Sequence, residues 1–124
     1  MSLMLEATKR NFDVFTPYCH STKVDVILMK PGGSPVTVQV KHGSPQKTRN
    51  HSHKVLVGSA KSSNRLPSDT PRYTRYVEGD FDLLCIHIDG YGLSFWHLKD
   101  LCHKATFRWD ISKPINNWEI FNEF

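Results

Sequence analysis

The stretch Lys23-Val24-Asp25-Val26-Ile27-Leu28-Met29, followed after Lys30 by Pro31-Gly32-Gly33-Ser34-Pro35 and then Val36-Thr37-Val38-Gln39-Val40-Lys41, decides the fold. Its two flanks are rich in β-branched residues and its middle has turn composition, so it reads as an antiparallel hairpin. Side chains alternate faces along a strand, which places Gln39 and Lys41 on one face and Val38 and Val40 on the other. Asp25 joins the Gln39 face only if the loop has an odd number of residues. A three-residue loop sets Asp25 opposite Gln39 and a five-residue loop opposite Lys41, whereas four residues set it opposite Val40 and remove it from that face. An acid, a second oxygen donor and a lysine on one face would hold a divalent metal and a water beside a phosphate, the arrangement of a nuclease site.

Two further stretches extend this pattern upstream: Phe12-Asp13-Val14-Phe15-Thr16-Pro17 and Ser21-Thr22-Lys23-Val24-Asp25-Val26-Ile27-Leu28. Together with Val38-Gln39-Val40-Lys41 they resemble the core of the PD-(D/E)XK nuclease superfamily. The branch with Gln-x-Lys, which includes small homing endonuclease-like and Holliday junction resolvase-like proteins, is the nearest in pattern. The resemblance covers the first third of the chain and implies an α/β, restriction endonuclease-like core: a mixed β-sheet flanked by helices. It implies Asp25 as the central metal ligand, Gln39 in the place of the usual acid, the Val40 carbonyl completing the shell, and Lys41 orienting the attacking water. The implied cofactor is Mg²⁺ or Mn²⁺. Val24 stands where the motif often has proline. The neutral Gln39 leaves the site one carboxylate short, so a DNA phosphate would have to supply more of the ligand field. Members also carry a Glu on the first helix. Glu6 is the only acid before Phe12, so either Glu6 fills that role or the family's Glu lies upstream of this chain's start.

Charge gives DNA a reason to approach this hairpin. The net charge is +4, but between Lys41 and Arg75 eight bases face the single acid Asp69, a local +7, while eight acids face four bases from Tyr76 onward. A basic stretch also rich in Ser, Asn, His and Thr suits phosphate contacts, which provide affinity and register. Ser21, Lys47, Arg49, Lys54, Lys61 and Arg65 are the candidate DNA contacts. The expected partner is duplex or branched DNA, and cutting both strands calls for a homodimer or higher oligomer. The competing reading is a catalytically inactive nucleic-acid-binding domain that kept the nuclease fold.

At 124 residues with ordinary apolar and charged fractions, the chain is expected to be a single domain of residues 1–124 with a loop-rich basic segment at 41–75. No apolar run is long enough for a membrane span and the start lacks a signal-peptide pattern, so the expected location is intracellular, in the cytoplasm. Ser2 to Arg10 reads as a short helix, Phe12 to Thr16 as a first strand, and Lys54 to Gly58 as a strand after the hairpin. Ser62 to Pro71 reads as a long loop. Phe81 to Ile88 is apolar enough for a strand buried on both faces, with Cys85 in the core and His87 structural. Asp89-Gly90-Tyr91-Gly92 turns into a strand over Leu93 to Leu98, and Trp118 to Phe124 reads as a short helix packing Trp118 and Phe121. A second helix between the later core strands is not evident.

The remaining motifs are weak. His51-Ser52-His53 reads as exposed loop, and two ligands at that spacing do not define a zinc site. The repeated Cys19-His20 and Cys102-His103 dipeptides lack the turn spacing of a Cys₂His₂ cluster, and the three cysteines form no disulfide framework. No G-x-S-x-G elbow organises the Ser, His and Asp residues for acyl chemistry, and Gly32-Gly33 does not continue into a P-loop.

Overall fold

The hairpin forms where the β-branched flanks require it. In the computed structural model, which describes residues 2–18, 23–46, 52–60 and 73–124, β2 (Val26–Met29) pairs antiparallel with β3 (Val36–His42), with Val26 opposite Val38 and Leu28 opposite Val36. Continued in register, that pairing leaves Pro31, Gly32 and Gly33 as the turn, closed by the Gly33 N–H on Lys30 O at 2.8 Å. Gly32 sits there at φ 73°, a backbone region that glycine enters without steric cost.

Around the hairpin stand β1 (Asp13–Phe15), β8 (Leu83–Ile88) and β9 (Gly92–His97), giving one sheet in the order β1-β2-β3-β8-β9. Only β3 and β8 run parallel, so the sheet is mixed. The β8 strand is buried on both sides because each face carries its own core. On one side Leu83 and Cys85 join Val26, Leu28, Val36, Val38, Leu93 and Phe95 under α1 (Leu3–Lys9) and a C-terminal 3₁₀ helix (Trp118–Glu123), where Phe12 packs tilted on Trp118 and edge to face on Phe121 while Trp118 and Phe121 stack. Burial pushes the Cys85 thiol far above its ordinary value, which leaves it an inert core group.

The other side is covered by a second, smaller sheet in place of a helix layer. A parallel β3 to β8 connection must cross a face of the sheet. The chain does so through β4 (Ser44–Pro45), β5 (His53–Leu56), β6 (Ser59–Ala60) and β7 (Tyr73–Thr74). The β5 strand pairs with β4 and with β10 (Thr106–Trp109), which follows the one-turn helix α2 (Leu98–Leu101). Val55, Phe107 and Trp109 from this sheet close on Leu84, Ile86 and Ile88. Gly43 makes the crossing possible: a Cβ there would stand 2.9 Å from the His53 Cβ and 3.1 Å from Ile88 Cδ1.

The α/β class with a mixed sheet therefore holds, and helices flank mainly one face. Among the described residues no second helix lies between β3 and β8. His53 and Ser52 are corrections to the sequence reading. Both are buried, His53 edge-on against the rings of Tyr91 and Trp109, because β5 alternates inward at His53 and Val55. The Ser62 to Pro71 stretch and the Cys19-His20 dipeptide lie outside the described residues. No described helix is long and apolar enough to cross a membrane.

Candidate nucleic-acid cleavage site

The site is built around a local irregularity at the start of β2. Val26 is paired with Val38, yet the Asp25 N–H also donates to the Val38 carbonyl at 2.9 Å. Two successive residues thus share one partner, which is the geometry of a bulge. The consequence is that Asp25 keeps to the side of Val26 while Val24 packs into the opposite core. The exposed Asp25 carboxylate then turns back onto β3, where its Oδ2 accepts the Val40 N–H at 2.8 Å. A side chain replaces the ladder partner that β2 no longer offers.

Gln39 and Lys41 take the other face. Val38 and Val40 point into the core under α1, so their neighbours Gln39 and Lys41 point toward the smaller sheet, in register with Leu84 and Ile86. The half-buried Lys41 ammonium donates to Gly58 O at 2.9 Å and lies 5.5 Å from the Tyr76 ring centroid. The loop is odd, as the convergence required, but the bulge withdraws Asp25 from the Gln39 face. Acid and lysine flank β3 from opposite sides.

On the Asp25 side opens a groove of about 350 Å³, lined by Asp25, Thr16, Val26, Val40, His42, His87 and the first residues of α1. His42 and His87 meet nearly edge to face at 5.1 Å, and His87 Nδ1 lies 3.3 Å from the exposed Asp89 Oδ1. The sequence reading missed His42, although its place two residues beyond Val40 on β3 assigns it to that face. Glu6 does not line this groove. Its carboxylate bonds Arg10 Nη1 at 2.8 Å and lies 3.6 Å from Lys9 Nζ, and the Arg10 hydrogen bond holds its pKa below the ordinary value.

Of the candidate DNA contacts, Lys54 is exposed on β5. Ser21, Lys47, Arg49, Lys61 and Arg65 lie outside the described residues. Among the described residues no three His, Cys, Asp or Glu side chains converge on a point that could hold a metal. What the bulge does bring together is one carboxylate and the Val40 carbonyl, which in an extended strand points the same way as its N–H. Such a donor pair fits a hard cation that keeps its waters and takes substrate phosphate oxygens, as Mg²⁺ does, and does not form a closed protein cage.

No protein-family profile matches the chain, and no curated protein matches it in sequence. Among solved structures it superposes on a bacterial homing endonuclease, I-Ssp6803I, with a TM-score of 0.68 over 92% of this chain and 73% of that one, at 16% identity. The fold is endonuclease-like. The likeness in fold spans nearly the whole chain.

Proposed function

We propose that the protein is a metal-dependent DNA endonuclease that hydrolyses phosphodiester bonds at the Asp25 edge of β3. The observation that carries this reading is the Asp25 carboxylate seated on the Val40 backbone, on the face of β3 opposite Gln39 and Lys41, within an endonuclease-like fold. Asp25 and the Val40 carbonyl would hold Mg²⁺ or Mn²⁺, with water and phosphate oxygens completing the shell, while Gln39 stands on the opposite face of β3, apart from this pair. When bound, the ion supplies Lewis-acid polarisation of the phosphate and lowers the pKa of a coordinated water. The Val40 N–H fixes one carboxylate oxygen, so Asp25 is held in place before substrate arrives. Lys41 donates to a neutral carbonyl in the free protein. A phosphate oxygen is the stronger, charge-assisted acceptor, so DNA would draw the ammonium from Gly58 to stabilise the charge that develops in the transition state. Duplex and junction DNA are the substrate classes proposed, with two copies of the chain acting on the two strands.

Asp25→Asn and Lys41→Ala are expected to abolish cleavage of duplex, junction and single-stranded DNA in Mg²⁺ or Mn²⁺ while retaining salt-sensitive DNA binding. Equal turnover by both variants and the wild type would sink the assignment.

One observation favours a second reading. Lys41 and Asp25 lie on opposite faces of β3, each already hydrogen-bonded within the protein. A DNA-binding domain that retained the nuclease fold without activity would look like this. Crystals soaked in Mn²⁺ separate the two: anomalous density at Asp25 and the Val40 carbonyl supports the enzyme, and a site that stays empty at high Mn²⁺ supports the binder.

A further inference from the structure

The outer face of the small sheet carries a charge arrangement that folding does not explain. In the β4, β5 and β10 ladder, Lys54 stands directly opposite Arg108 on one side and Ser44 on the other, and all three are exposed. Directly opposed residues have Cβ atoms about 5 Å apart, and like charges there are destabilising. Among the described residues neither Lys54 nor Arg108 closes an ion pair with a carboxylate. The acid nearest Arg108 along the chain, Asp110, is hydrogen-bonded by the Ser112 N–H and hydroxyl and is attracted more weakly by Lys113 and Arg108, so it offsets only part of the Arg108 charge.

This row continues into a groove. Leu56 and Thr106, the next outward pair of the same ladder, line a cavity of about 320 Å³ together with Gly58 and the exposed Arg75. Gly58 is the residue whose carbonyl holds the Lys41 ammonium. The basic row therefore runs from Arg108 and Lys54 to the groove that Arg75 lines beside Gly58.

We propose that this face is a surface on which duplex DNA is laid, with Lys54, Arg108 and Arg75 as its phosphate contacts. Charge complementarity selects the occupant, since a polyanion removes the repulsion that the free protein sustains. The inference deepens the nuclease reading by assigning its DNA-contacting surface, and it brings in Arg108 and Arg75, which lie on strand and loop positions far apart in sequence.

The test measures binding of wild type and variants to a labelled DNA duplex in EDTA, where no metal-dependent cleavage occurs, across a salt series. Each phosphate contact contributes about 0.9 to the slope of log affinity against log salt. Lys54→Gln and Arg108→Gln are each expected to lower that slope by about one, the double variant by about two, and Lys54→Arg to restore it. The melting temperatures of the single variants should equal or exceed that of wild type, because an opposed like-charge pair has been removed. Unchanged slopes overturn the proposal, as does a fall in melting temperature, which would mark the row as structural. Tighter binding to a duplex of the same sequence made of RNA would also overturn it. Failure of wild type to cleave in any metal, with slopes altered as stated, would remove the nuclease reading and leave this surface standing.

Discussion

Asn117 shows how much one side chain contributes here. The β9 strand is at the edge of the main sheet, so its outer N–H and C=O groups have no strand to pair with. Asn117 supplies the missing partner: its Oδ1 accepts the Phe95 N–H at 2.9 Å and its amide donates to Phe95 O at 2.8 Å. Asn116, at φ 52°, does the same for the Leu93 N–H through Oδ1 at 3.1 Å. Gly92 leaves room for it, since a Cβ there would clash with that oxygen. Phe95 is buried, so losing both bonds orphans two backbone groups at about 1–3 kcal/mol each, and Asn117→Ala should show that loss in urea denaturation. Asn117→Asp, which still accepts from the N–H but cannot donate to the carbonyl, should fall between the two. A variant as stable as wild type would mean that water substitutes freely at this edge. The Asp89 to Gly92 turn was legible in the sequence because its residues are adjacent. The Asn117 clasp was not, because its partner lies 22 residues away.

At the scale of elements, the approach to β2 is held from outside the hairpin. Lys23 Nζ lies 3.1 Å from Asp80 Oδ2, and the same oxygen accepts the Val77 N–H at 2.9 Å. The Val77 hydrogen bond, followed by Lys23, holds the Asp80 carboxyl below its ordinary value, with burial opposing both. A group whose pKa is depressed in the folded state contributes stability above its unfolded value, and that contribution disappears as pH falls through the folded one. Asp80→Asn should therefore melt lower than wild type near neutral pH, with the gap closing as pH falls from about 6 to about 2. A gap that persists unchanged at the acid end would show that Asp80 acts through packing alone. The hairpin itself, β8, β9 and α1 could be read from alternation and apolar runs. The β5 to β10 pairing could not, because it joins Lys54 to Arg108 across half the chain and places two like charges opposite each other. The bulge at Asp25 was equally hidden. Alternation assumes one partner per residue, and only the shared Val38 carbonyl reveals that two residues face one.

For the whole molecule, the open question of stoichiometry turns on the products of cleavage. The two strands of a duplex run in opposite directions, and one copy of the chain carries one Asp25. If the nuclease reading holds, two copies related by a two-fold axis can each meet a phosphate on a different strand, which is the closed symmetry that pairs most naturally with a duplex. Wild-type protein mixed and re-equilibrated with excess Asp25→Asn should then cut supercoiled plasmid mainly to nicked circles, because mixed oligomers retain one working site. Wild type alone should give linear product. If single copies act one strand at a time, the inactive variant only dilutes the enzyme, and the ratio of nicked to linear product at equal extent of cleavage stays the same. The two outcomes differ in product and not merely in rate, so the experiment separates an oligomer that cuts both strands together from a monomer that nicks them in turn.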